Sequence, residues 1–323
     1  MAKVTIYSIA EELGVHPSTV SRAFSRPELV KDDVRERILA VAQRLGFQPN
    51  RTARRLATGS TGSVGLLVPD ITNPFFPPLV RAIQQAAGDD TVILVDAEGE
   101  ADREPSLIAR LRAQVDGVIL ASPRSADRVL LDALDTTPAV VVNRIVPPLP
   151  SIVGDVSDAL RAAGDHLTAL GHSRLAIITG PAGSWAASAR RDAVRAWAES
   201  SPVELIELGP FDATYEGGRA GAAALLNTDA TAAFAFDDLT ACGVIAGLAD
   251  AGMTVPDDFS IVGCDDVLLA QVVTPTLSTI SMPTVRLADV AVGMLRATDV
   301  GEAYEPTHLP GAFVTRGSTA PRS

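Results

Sequence analysis

From Ser63 onward the chain alternates two kinds of segment, and that alternation restricts its fold more than any other feature. Short apolar runs (SVGLLVPD, TVILVDAEG, DGVILASP, PAVVVNR, SIVGDV, RLAIITG, VELIELG, TAAFAFDD and FSIVGCDD) are mostly separated by Ala/Leu-rich stretches such as FFPPLVRAIQQAAG and DALRAAGDHLTALG. Several runs are apolar without interruption, as strands covered on both faces must be. Strand–helix alternation of this kind predicts an open, parallel, doubly wound sheet. About 260 residues are too many for one such sheet. The passage from GDV into SDALRAAGDHL therefore predicts a switch from one α/β subdomain to a second.

The first 46 residues follow a different pattern. Ile6, Ile9, Ala10 and Leu13 recur at the spacing of one helix face, with Thr5 where an N-cap belongs and Gly14 as the stop. Pro17 suits the first turn of a second helix, where its missing N–H costs nothing. Val20 and Phe24 face inward from that helix. After a loop holding Pro27, the residues Ile38, Val41, Ala42 and Leu45 repeat the first pattern, and Gly46 closes it. Two short helices joined by a tight turn and buttressed by a third describe a helix-turn-helix. The expected divisions are 1–46 for this head, 47–61 for a polar hinge segment and 62–323 for the α/β core. Within the core, one subdomain takes about 62–157 plus a late segment, and the other about 158–282 plus the C-terminal strand.

A net charge of −12 looks hostile to nucleic acid, but it is unevenly spread. Residues 1–60 hold ten Lys/Arg against six Asp/Glu, and the remainder holds 17 against 33. A cationic module on an acidic body confines phosphate contact to the small part. No run approaches the ~20 apolar residues of a membrane span. The opening MAKVTIYSIAEELG lacks the basic-then-apolar order of a secretory signal, so a cytoplasmic protein is expected. The two cysteines, Cys242 and Cys264, and the four histidines show no metal-ligand spacing, and neither metal nor cofactor is expected.

Ligands of doubly wound sheets bind beyond the carboxyl ends of the strands. Asp70, Asn73, Phe75 and Phe76 follow the first run, Asp237 and Asp238 follow TAAFAF, and Asp265 and Asp266 close SIVGC. Carboxylates accept pairs of hydrogen bonds from hydroxyls, and aromatic rings offer a stacking face. Either Arg190 or Arg191, after RLAIITG, is placed to enter such a cleft as a bidentate donor. The phosphate-binding and nucleophile motifs G-x-x-x-x-G-K-[ST], G-x-G-x-x-G and G-x-S-x-G are all missing, so an enzyme is not expected.

At VTIYSIAEELGVHPSTVSRAF the sequence resembles the LacI/GalR family of bacterial transcriptional regulators. The resemblance continues in order through QPNRTARRLATGST, VGLLVPDITNPFF, VDGVILASP, HLTALGHSRLAIITGP, FDDLTACGVIAGLADAGMTVPDDFSIVGCDD and FVTRGST. It implies an all-α helix-turn-helix head on a periplasmic-binding-protein-like core of two doubly wound parallel-sheet subdomains. It also implies a homodimer or tetramer on a pseudo-palindromic operator in double-stranded DNA, controlled by a small-molecule effector between the subdomains.

Carried over by position, the resemblance makes Ser18 and Arg22 base readers, with His16 and Pro17 beside them. Thr5, Tyr7, Thr19 and Ser21 become phosphate contacts, joined by Asn50, Arg51, Arg54 and Arg55 of the hinge. Pro17 has no side-chain donor, so sequence choice leans on Arg22, bidentate to a guanine. Leu56, between the small residues Ala53 and Ala57, matches a leucine wedged into the minor groove. Asp70, Phe75, Asp158, Arg190, Asp237 and Asp265 match effector contacts, with Phe211 as a stacking wall. Asp237 stands where Asn is common, and the choice between Arg190 and Arg191 stays open. A repressor responding to a sugar or other polyol is expected first, and one responding to a purine or nucleoside second. An enzyme or a solute carrier with the same core is the rival, but it leaves the helix-turn-helix without a role.

Overall fold

A computed structural model describes residues 4–25, 27–47, 60–297 and 304–322. The chain divides into two compact units, 1–61 and 62–323. In the first, helices α1 (Ile6–Leu13), α2 (Pro17–Ser25) and α3 (Asp32–Arg44) follow the expected phases. Thr5 and Ser8 cap α1 reciprocally, each side chain accepting from the other's backbone N–H. Gly14 closes α1 at φ 66°, a conformation that favours glycine. Ile9, Ala10, Val20, Ala23, Ile38 and Ala42 form the buried centre. The hinge residues Asn50, Arg51, Ala53, Arg54, Arg55, Leu56 and Ala57 lie outside the described residues.

The second unit carries strands β1 (Ser63–Val68), β2 (Thr91–Asp96), β3 (Gly117–Ala121), β4 (Ala139–Val142), β5 (Ser151–Asp155), β6 (Arg174–Ile178), β7 (Glu204–Leu208), β8 (Ala232–Ala235), β9 (Ser260–Asp265), β10 (Ser278–Ser281), β11 (Thr307–Pro310) and β12 (Ala312–Val314). Its helices are α4 (Phe76–Ala87), α5 (Glu104–Arg112), α6 (Asp127–Leu134), α7 (Ser157–Ala169), α8 (Trp185–Glu199), α9 (Tyr215–Leu225), α10 (Asp238–Asp250), α11 (Leu268–Val272) and α12 (Thr284–Ala297). The nine apolar runs are β1 to β9. Two six-stranded sheets result, in the orders β11-β5-β4-β3-β1-β2 and β12-β10-β9-β8-β6-β7. Every pairing is parallel except β10 with β12. The expected fold class, a helix-turn-helix head and a core of two doubly wound subdomains, is borne out.

Both sheets are covered on two faces. In the first, Leu66, Ile119 and Val140 pack under Leu79 and Ile83 of α4 and Leu287 and Ala291 of α12. Leu67, Val118 and Leu120 pack under Leu107 and Ile108 of α5 and Leu130 of α6. In the second, Leu175, Ile177 and Phe234 meet Leu167 of α7 and Val194 and Trp197 of α8. Ala176, Ile178 and Ala233 meet Leu225 of α9 and Val244 and Leu248 of α10. The chain passes between the sheets three times: after β5, between β10 and α12, and through Gly311 between β11 and β12. The three passages adjoin. Gly311 N–H donates to the Asp155 carbonyl at 2.8 Å, and a methyl group on Gly311 would lie 3.0 Å from the Ser281 carbonyl.

Candidate functional site

The carboxyl ends of the two sheets enclose a cleft of about 460 Å³, counted with its open mouth. Asn73, Phe75 and Phe76 line it from the β1 side, and Arg190, Asp237 and Asp265 from the side of the second sheet. One Arg190 Nη donates to Asp265 Oδ1 at 2.6 Å, and the other to the Phe236 carbonyl at 2.6 Å. Its guanidinium lies 4.9 Å from the centroid of the Phe236 ring. Asp237 caps α10, accepting from the Thr240 N–H at 2.7 Å, and its other oxygen accepts from Asn73 Nδ2 at 2.8 Å. That bond spans the cleft, tying the first sheet's wall to the second's.

Burial sets the electrostatics. It works against the Arg190 charge, yet Asp265 beside it holds the guanidinium above its ordinary pKa. Burial pushes the Asp265 carboxyl up to about 6 against the pull of Arg190, so the pair is ionised at neutrality. Asp238, 1% exposed, is pushed up to about 8 by burial, with Asp265 adding to the rise. Its oxygens meet the Thr279 hydroxyl at 2.5 Å and the Val267 N–H at 2.8 Å, so a neutral acid at this position is structural.

Four expected residues sit elsewhere. Asp70 Oδ1 accepts from the Thr72 N–H and hydroxyl at 2.8 and 2.6 Å, a local turn beside the cleft wall. Asp158 is exposed in the first turn of α7. Phe211 packs against the core of the second sheet. Arg191 pairs with Asp192 at 2.9 Å and lines a separate pocket with Glu207 and Pro210. In exchange, Ser122, Arg124, Asn143, Ser184 and Phe236 line the cleft. Ser122 and Arg124 follow β3, Asn143 follows β4 and Phe236 follows β8 within three residues, with Ser184 six residues after β6, so the strand-end rule was the signal that could have found them. Ser122, Asn143, Asp265 and Asp266 have φ of 48°, 56°, 108° and 54°. Such left-handed backbone in non-glycine residues costs about 1–3 kcal/mol each and persists where surrounding structure enforces it.

In the first unit, Ser18 and Arg22 are exposed on α2, one turn apart and opposite the buried Val20 and Ala23. His16 caps that helix: its Nδ1 accepts from the Ser18 N–H at 3.2 Å and lies 2.8 Å from the Ser18 hydroxyl. Pro17, Thr19 and Ser21 are half-buried, Thr5 is exposed at its cap, and Tyr7 is 68% exposed. Among the described residues no helix is long and apolar enough to cross a membrane, and no cluster of His, Cys, Asp or Glu is placed to hold a metal ion.

Sequence signatures match both units: "Bacterial regulatory proteins, lacI family" over residues 5–50 and "Periplasmic binding protein-like domain" over 164–319. The chain is 30% identical to the HTH-type transcriptional regulator DegA of Bacillus subtilis (strain 168), over 99% of each chain. Among solved structures, the lac repressor dimer bound to operator and the anti-inducer ONPF aligns with a TM-score of 0.82 at 26% identity, covering 99% of this chain and 100% of that one. A LacI family transcriptional regulator from Enterococcus faecium with bound ribose aligns with a TM-score of 0.70 at 31% identity, covering 81% and 100%.

Proposed function

The chain belongs to the lacI family of bacterial regulatory proteins and is a DNA-binding transcriptional regulator; from that premise we propose that it is a repressor whose operator affinity is set by a sugar or related polyol in the cleft between its two sheets. The observation that carries this reading is the Arg190–Asp265 pair, flanked by Asp237 and Asn73, at the strand ends of a cleft walled by Phe75 and Phe76. Charged donors and acceptors fixed side by side suit vicinal hydroxyls, and the rings suit the apolar face of a sugar. A relative crystallised with ribose supports the same class.

In this reading two heads of a homodimer, acting in the cytoplasm, present α2 to half-sites one helical turn apart. Arg22 and Ser18 read bases beside His16 and Pro17, while Thr5, Tyr7, Thr19 and Ser21 hold phosphates. Asn50, Arg51, Arg54 and Arg55 add backbone contacts around a Leu56 wedge between Ala53 and Ala57. Effector in the cleft changes the pose of one sheet against the other and so the spacing of the heads. Coupling of that kind is typically worth about 1–3 kcal/mol and acts reciprocally. The test is selection of bound duplexes from a random pool, followed by release assays with monosaccharides. A pseudo-palindromic site whose occupancy one sugar changes is the expected result. Binding with no preference over scrambled duplex would overturn it.

A further inference from the structure

The walls of the cleft are chemically unequal. The wall from the first sheet comprises Pro69, Asn73, Phe75, Phe76, Ser122, Arg124 and Asn143, so Arg124 is its one charge and it has no carboxylate. Across the cleft, Asp265 is taken by Arg190, and Asp237 by Asn73 and the start of α10. Among the described residues no carboxylate is ion-paired with Arg124. Its guanidinium makes one long bond, 3.3 Å, to the Gly99 carbonyl.

The segment carrying Arg124 is held by two buried charges. Glu104, fully buried, accepts from the Arg124 and Ser125 N–H groups, both at 2.8 Å. Arg144, 9% exposed, donates to the Pro123 and Ser125 carbonyls at 2.8 and 2.7 Å. Burying two charged side chains to fix the three residues Pro123, Arg124 and Ser125 is costly unless hydrogen bonds offset it, as these bonds do. Asn143 lines the same wall, its Oδ1 accepting from the Gly154 N–H at 3.2 Å, and its side-chain amide also carries a donor. The Ser122 hydroxyl lines the same wall.

We propose that the effector is an anionic sugar derivative, a sugar phosphate or a sugar acid, whose charged group is received by Arg124, Asn143 and Ser122 while its hydroxyls meet Arg190, Asp237 and Asp265. The proposal rests on the sugar reading above and narrows it. A neutral ligand closing this cleft would strip water from the Arg124 guanidinium without returning a counter-charge. A phosphate or carboxylate returns charge-assisted, bidentate hydrogen bonds, which guanidinium geometry favours.

Calorimetric titration of the full-length protein with ribose, ribose 5-phosphate and ribonate, and with glucose, glucose 6-phosphate and gluconate, tests it. In at least one series an anionic member is expected to bind about tenfold or more tighter than its neutral parent, equivalent to about 1.4 kcal/mol. Which anion prevails separates phosphate from carboxylate. Arg124→Gln is expected to erase that margin, read as the ratio of anionic to neutral affinity within the same variant, and Arg124→Lys to keep part of it, since it keeps the charge and loses the fork. Tighter binding of the neutral sugars overturns the anionic assignment and leaves the sugar reading standing; an anion preference that survives Arg124→Gln overturns the placement of the charged group on Arg124. Failure of every neutral and anionic member to bind overturns both.

Discussion

Arg190 and Asp265 are each costly to bury alone, and each removes the other's cost. Arg190→Ala leaves a buried carboxylate without its partner, so a loss of about 3–5 kcal/mol is expected in urea unfolding at neutral pH. A loss below about 1 kcal/mol would mean that water already reaches Asp265. Asp238 acts through protons. Its carboxyl titrates near 8 in the fold against an ordinary 3.8. Between those values the folded protein holds a proton that the unfolded chain has released, so stability falls as pH rises from about 4 to about 8. Asp238→Asn can keep a bond to Thr279 and one from Val267 without titrating, and it should flatten unfolding midpoints between about pH 5 and pH 8. Equal slopes in both proteins would rule this out. The sequence placed Asp237 and Asp265 at the cleft because strand ends point there. It could not choose between Arg190 and Arg191, which sit about 100° apart on a helix. The phase depends on where α8 begins, and the Ser184 cap, accepting from the Ala187 N–H at 3.2 Å, fixes it. Asp70 has a local partner that the sequence did not flag: Thr72, two residues on, offers its carboxylate two donors.

Among the elements, α9 and α10 approach closely, and they do so on glycine. A methyl group on Gly218 would lie 2.1 Å from the Thr240 carbonyl, and one on Gly243 2.1 Å from the Tyr215 carbonyl. These obstacles are backbone, so neither can be relieved by a rotamer change. Gly218→Ala is expected to destabilise by about 1–3 kcal/mol, the usual cost of overpacking, and to lower the thermal midpoint. An unchanged midpoint would show that the two helices can slide apart freely. Neither glycine was legible as a contact, because an Ala/Gly-rich helix gives no sign of which small residues face a neighbour. The nine strands that could be read are apolar runs, several of them continuous. The strands β10 and β11 could not be, since THLP and STIS are short, mixed in polarity and bordered by proline. Pairing with long neighbours, rather than propensity, makes them strands.

At the scale of the whole molecule, the excess of cationic groups in residues 1–60 against the acidic remainder predicts a salt-limited association with duplex DNA. Operator affinity measured from about 50 to 200 mM salt should fall by orders of magnitude on a straight log–log line, because each neutralised phosphate releases counterions. A flat response would remove phosphate contact from the account. This division of charge was plain in the sequence, as was the expectation of a late segment returning to the first sheet and a C-terminal strand joining the second; that the three passages lie side by side was not. That routing brings Asp155, Ser281 and Gly311 side by side. Three tethers spread around the cleft would restrain rotation in every direction, whereas three bundled at one edge leave a single pivot line. A nick in any one peptide would then leave two others holding the alignment, so limited proteolysis there should cut the polypeptide without parting its halves.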